Sequence, residues 1–208
     1  MEVQVLSSAP LYSVKHHVIY VPGILDDIYR AQSTALRFWW LWGVQAHLHA
    51  MPWAGQEAYR SKFERLLAEI DGHLEKGHVV SLIGASAGAS AVLNAYDQRK
   101  DKINAVVYIC GKINRPEAVS QRTYRANPAF QTALVQLQGV LQRLDSTDKS
   151  KLQSLYSAID VSVPYADTRI PGVKERKLPS FRHGWAIIYA VTIGARGIVV
   201  YLKTGGTP

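Results

Sequence analysis

Short apolar runs alternate with longer stretches whose apolar positions recur at helical spacing, and the alternation continues along most of the chain. The first run, His17 to Val21, is closed by Pro22-Gly23; residues Ile28 to Phe38 read as helix and Trp42 to Ala50 as a second strand. Between Glu57 and Leu74 the side chains Phe63, Leu66, Leu67, Ile70 and Leu74 form one apolar stripe, and Gly77 ends that helix. Val79 to Ile83 is a strand, Ala85 to Tyr96 a helix of small residues, and Ala105 to Cys110 another strand ended by Gly111. Residues 114–150 are polar, helical between Phe130 and Leu144, and leave room for a small lid at most. Strands follow at Leu152 to Ser157 and Lys174 to Leu178, and Trp185 to Leu202 opens as a helix. Strands interleaved with helices predict an α/β class domain over 1–208, with a mostly parallel sheet and helices on both faces.

Composition narrows this picture. The chain has 208 residues, 48% of them hydrophobic, enough to bury one substantial core. No run of about 18 apolar residues is present, and the start lacks a basic-then-apolar leader, so a protein without a membrane span, in the cytoplasm, is expected. The apolar stretch Phe38 to Val44 reads as a buried helix end running into a strand. Cys110 is the only cysteine, which excludes an intrachain disulfide and a multi-cysteine zinc site. Net charge is +8, with a denser cluster at Lys174, Arg176, Lys177 and Arg182. No nucleic-acid-binding motif accompanies it, so a solvated basic surface is expected and no nucleic-acid partner.

The chemistry concentrates in Gly84-Ala85-Ser86-Ala87-Gly88, set between an apolar strand and a helix. In that pattern the serine occupies a strained turn that lifts its hydroxyl above the sheet. A phosphate-binding glycine turn is the competing account, but the dinucleotide spacing and a Walker lysine are missing. Serine needs a base, and the base needs a carboxylate to orient it. His183 is the only histidine after residue 78, in a loop before the last helical segment. Asp160 lies just beyond the strand ending near Ser157; Asp167 is the competitor, and Asp160 is favoured because strand carboxyl ends line the crevice of such sheets. Oxyanion donors are sought in the backbone N–H of Ala87 and in that of Ile24, or alternatively Leu25, after Pro22-Gly23. Asp26 and Asp27 would cap the next helix.

Val18 to Leu25, Gly84 to Gly88, Ser157 to Pro164 and His183-Gly184 resemble the oxyanion loop, nucleophile elbow, acid loop and histidine loop of the α/β-hydrolase superfamily. The resemblance implies an α/β-hydrolase fold with a reduced sheet of about six strands. It also implies a lipase- or esterase-like serine hydrolase acting on a small acyl ester or thioester through an acyl-enzyme, without a cofactor. Pro22-Gly23 departs from the family's usual His-Gly. The basic cluster beside His183 suggests acyl groups on anionic carriers. A noncatalytic binding or scaffolding module on the same fold is the alternative.

Other residues carry less. His47 and His49 share one side of a strand, but no third ligand is evident, and no metal is expected. His16 and His17 have no clear role, Cys110 reads as a small core residue, and Trp39, Trp40 and Trp42 as packing. Trp53, at a strand end, is a candidate pocket wall.

Overall fold

The computed structural model describes residues 15–24, 29–180 and 182–206. Leu25, Asp26 and Asp27, named above as a donor and as helix caps, lie outside the described residues. The strands are β1 His16–Val21, β2 Gln45–Leu48, β3 Val79–Ala85, β4 Ile103–Ile109, β5 Leu152–Ser157 and β6 Lys174–Leu178. They form one six-stranded sheet in the order β2-β1-β3-β4-β5-β6. Every neighbouring pair is parallel, so the mostly parallel sheet expected from the sequence is wholly parallel among the described residues.

Alternate residues of the central strands feed two apolar layers, because side chains along a strand point to opposite faces. Ile19, Val21, Val80 and Leu82 pack under α2 (Tyr59–Leu74), α3 (Gly88–Arg99) and α5 (Pro128–Arg143). Val18, Tyr20, Ile83 and Val107 pack under α1 (Tyr29–Arg37), α8 (His183–Val191) and α9 (Ala195–Lys203). Three shorter α-helices are also found among the described residues: α4 (Gln121–Ala126), α6 (Ser146–Ser150) and α7 (Tyr165–Thr168). Among the described residues no single helix is long and apolar enough to cross a membrane.

Two local expectations are corrected. Phe38–Trp42 is a 3₁₀ turn closed by Gly43 in the left-handed region, which shortens the expected second strand to four residues. Only Trp39 of that turn is buried, its Nε1 donating to the Val191 carbonyl, while Trp40 is 64% exposed. The helix after the serine begins at Gly88, not at Ala85, because β3 runs on to Ala85 and Ser86 takes a conformation no helix accepts.

The strand order reverses between β1 and β3. The chain leaves β1 toward β2 on one side and β3 toward β4 on the other, and crevices for ligands open at the carboxyl ends of the strands at such a point.

Candidate active site

Ser86 follows β3 at this reversal with φ 52°, a left-handed conformation that costs a side-chain-bearing residue about 1–3 kcal/mol. Its surroundings hold it there. The Ser86 N–H donates to the Ile109 carbonyl at 2.9 Å, and its own carbonyl accepts from the Lys112 N–H at 3.1 Å. The flanking glycines are required by contact. A Cβ on Gly84 would lie 2.6 Å from the Ala89 Cα, and one on Gly88 would lie 2.1 Å from the Val21 carbonyl oxygen. The elbow thus packs directly against the end of β1.

Beyond β1, Gly23 sits beside the serine: a Cβ there would come within 2.9 Å of the Ser86 Cβ. The loop is held through its carbonyls. Trp53 Nε1 donates to the Pro22 oxygen at 3.1 Å, and the Tyr29 hydroxyl donates to the Gly23 oxygen at 3.0 Å. Trp53 is therefore a buried prop under the loop and does not line the cavity, a correction to its expected place. Tyr29 carried no signal in the sequence, since a hydroxyl six residues from its acceptor has no pattern of its own.

Asp160 lies past β5, and His183 is the first residue of α8 instead of a loop residue. His183 Nδ1 stands 2.6 Å from Asp160 Oδ2. An ionised carboxylate only accepts, so Nδ1 carries a proton, and the neutral form of this imidazole presents its lone pair at Nε2. The other oxygen, Oδ1, accepts from the Ser162 and Val163 amides at 2.9 Å each. Burial alone would raise the Asp160 carboxyl, but the hydrogen bond from His183 and those from the two amides outweigh it and hold the group below its ordinary value.

Asp167 is committed elsewhere. Its Oδ2 takes the Lys112 ammonium at 2.6 Å, and its Oδ1 takes the Arg115 guanidinium. The carboxylate paired with the histidine is Asp160.

Ser86, Ala87, Ile24 and His183 line one cavity of about 470 Å³, within the range of about 300–1,000 Å³ usual for small-molecule sites. Its wall is largely apolar, with Val119, Phe130, Val163 and Ile187, and the segment from Arg115 to Thr123 contributes one side. Among the described residues no hydrogen bond joins Ser86 Oγ to His183; in unliganded sites such contacts are commonly long and tighten around substrate. None of Lys174, Arg176, Lys177 and Arg182 lines the cavity; the cations that do are Lys112 and Arg115, both bound to Asp167.

Cys110, at the end of β4, also adopts a left-handed φ of 47°. Its Sγ lies within 4.8 Å of ligand atoms of both Asp160 and His183, so it borders the site that the sequence separated it from. Burial and the Asp160 charge push its thiol up to about 12.

Solved structures resemble the chain along most of its length. Est1E from Butyrivibrio proteoclasticus matches with a TM-score of 0.62 at 13% identity, over 92% of this chain and 89% of that one. The chain has the α/β-hydrolase fold. The pyrethroid hydrolase PytH matches this fold with a TM-score of 0.62 at 15% identity, covering 93% of this chain and 100% of that one. The monoacylglycerol lipase of Paleococcus ferrophilus matches at 0.56 and 15%, covering 91% and 94%. No protein-family model and no curated protein sequence matches.

Proposed function

We propose that this protein is a serine hydrolase that cleaves a carboxylic ester, or a thioester, through an acyl-enzyme. The observation that carries the reading is the His183–Asp160 hydrogen bond of 2.6 Å, at the edge of a cavity that Ser86 enters from a left-handed turn. Structures of the same fold named as esterases, lipases and hydrolases support it.

Ser86 Oγ attacks the carbonyl carbon, and its proton passes to His183 Nε2. Asp160 stays ionised and stabilises the imidazolium that forms. The amides of Ala87 and Ile24 donate to the new oxyanion, an interaction worth about 2.7–4 kcal/mol per donor in comparable sites. Collapse breaks the bond to the leaving oxygen or sulfur, which takes the proton from His183. Water then attacks the acyl-Ser86 ester, gives its proton to His183, and the acid departs as Ser86 recovers its own.

The apolar wall favours an uncharged acyl group. With Lys112 and Arg115 both engaged by Asp167, neutral esters are expected to be turned over at least as well as anionic ones. Graded p-nitrophenyl esters with Ser86→Ala as control, together with fluorophosphonate labelling and mass spectrometry of the Ser86 peptide, test the reading. An adduct on Ser86 and turnover lost in the variant are expected. Folded protein that takes no adduct would assign the chain to noncatalytic binding.

A further inference from the structure

At the opposite end of the sheet four histidines converge. His17 is the second residue of β1, His47 lies in β2, His73 sits in the last turn of α2, and His78 immediately precedes β3. The turn after α2 brings the last two together. Gly77, at φ 71°, lets its N–H donate to the Leu74 carbonyl while the His78 N–H donates to the His73 carbonyl, the paired bonds of a Schellman motif. The His17 ring is stacked on both, with centroids 3.9 Å from His73 and 4.6 Å from His78.

The cluster holds unpartnered ring nitrogens. His17 is 5% exposed, and its Nε2 has no hydrogen-bond partner; His73 Nδ1 and His78 Nδ1 are likewise buried and unpartnered. Three of the buried polar atoms left without a partner among the described residues therefore belong to one constellation, where each costs about 1–3 kcal/mol unless something binds it. One candidate ligand atom from each of the three rings falls within 4.8 Å of the others.

We propose that His17 Nε2, His73 Nδ1 and His78 Nδ1 bind a divalent transition-metal ion of the zinc class, with water completing the coordination. Three imidazoles suit such an ion, and three histidines with an open fourth position are an established zinc arrangement. His17 Nδ1 lies 3.0 Å from His47 Nε2; when it donates there, the His17 Nε2 lone pair is fixed toward the site, as the outer hydrogen bond of a metal-bound histidine does. Burial, and then the neighbouring rings, lower the His17 pKa to about 4, so this ligand enters neutral. A tetrahedral ion needs ligand nitrogens about 3.4 Å apart. Rotation of the imidazoles about their soft χ2 closes that gap, and metal bonds replace the stack.

A second set, His47, Glu69 and His73, is also close together. Its carboxylate is already taken, since Glu69 Oε2 lies 2.6 Å from His49 Nδ1, and His47 Nε2 faces His17. The first set keeps its donors free. The ion would tie α2 to the starts of β1 and β3, on the order of 20 Å from Ser86 along the strands. Its role is thus in holding the fold together, apart from ester cleavage.

The test uses the full chain without an affinity tag, stripped with chelator and titrated with zinc chloride by calorimetry, and with cobalt chloride by visible absorption. One equivalent should bind, with the intense d–d bands of a four-coordinate nitrogen site. The melting temperature should rise by about 5–10 °C at zinc a hundredfold above Kd. His73→Gln and His78→Gln, at half-buried positions and checked for folding by circular dichroism, should each weaken zinc binding at least about 100-fold. Absence of zinc and cobalt binding by the folded chain overturns the proposal. So does a wild-type affinity kept in His78→Gln but lost in Glu69→Gln, which would move the ion to the other set. Fluorophosphonate labelling of Ser86 should be the same with and without zinc, so the two readings fail separately.

Discussion

Asp160 divides its two oxygens between different tasks: Oδ2 holds His183 Nδ1 at 2.6 Å, and Oδ1 is pinned by the Ser162 and Val163 amides. Seven residues on, Asp167 makes no such bond and pairs with Lys112 and Arg115 instead. The two carboxylates are therefore separable by experiment.

Asp160→Asn should lower kcat by about 10⁴-fold with the fold intact, because an amide donor in place of an acceptor selects the wrong imidazole tautomer. Asp167→Asn should leave kcat within a few-fold. It should instead destabilise the protein by about 3 kcal/mol, since it strands a buried ammonium. Steady-state kinetics and denaturant melts of both variants check this. A large loss of kcat in Asp167→Asn alone would exchange the roles.

Asp160 also predicts a pH dependence. Its pKa is lowered in the folded state, so its contribution to stability is complete above the unfolded value of about 3.9 and is lost as pH falls through the folded value. The stability difference between wild type and Asp160→Asn should shrink as pH falls below about 4, where the wild-type carboxylate takes up its proton. Denaturant melts at fixed pH values measure it. A difference that stays unchanged below about pH 4 would contradict the lowered carboxyl.

Cys110 should behave as an inert thiol despite its place beside Asp160 and His183. Its pKa of about 12 leaves a negligible thiolate fraction at neutral pH, and only the thiolate is the effective nucleophile. Iodoacetamide at pH 8 should label it only after denaturation, and Ser86→Ala should show no residual burst with activated esters. Rapid labelling of the native protein would require a charge arrangement other than the one described.

The strand ends were readable because apolar runs and their glycine punctuation are local. Ser86, Asp160 and His183 each follow a strand that periodicity marks, and chain order did the rest. What escaped depends on register. His17, His47, His73 and His78 are spread over sixty residues of sequence and meet only because β1 pairs with both β2 and β3 while a Schellman turn folds His78 under His73. Trp53 and Tyr29 act through backbone carbonyls of another segment, which no residue pattern encodes. The Phe38–Trp42 turn departs from the sequence pattern for a different reason. A run of aromatic residues looks buried, yet a 3₁₀ turn of that length can point only some of them inward.

The glycines around Ser86 make the sharpest contrast between fold and chemistry. At Gly88 an added Cβ meets the Val21 backbone at 2.1 Å, and a β-strand cannot yield that much, so Gly88→Ala should cost at least about 3 kcal/mol and lower the melting temperature by about 6–12 °C. At Gly23 the Cβ meets the Ser86 side chain at 2.9 Å, and a loop can shift to relieve it. Gly23→Ala should keep most of the stability but move the Ile24 amide relative to Ser86 Oγ, and misplacement on the scale of 1 Å costs about 100-fold in rate. The loss should fall on kcat, since the oxyanion contact is made only in the transition state. Melting curves and ester kinetics of the two variants decide it: a stable, fully active Gly23→Ala would remove the β1 loop from the catalytic machinery.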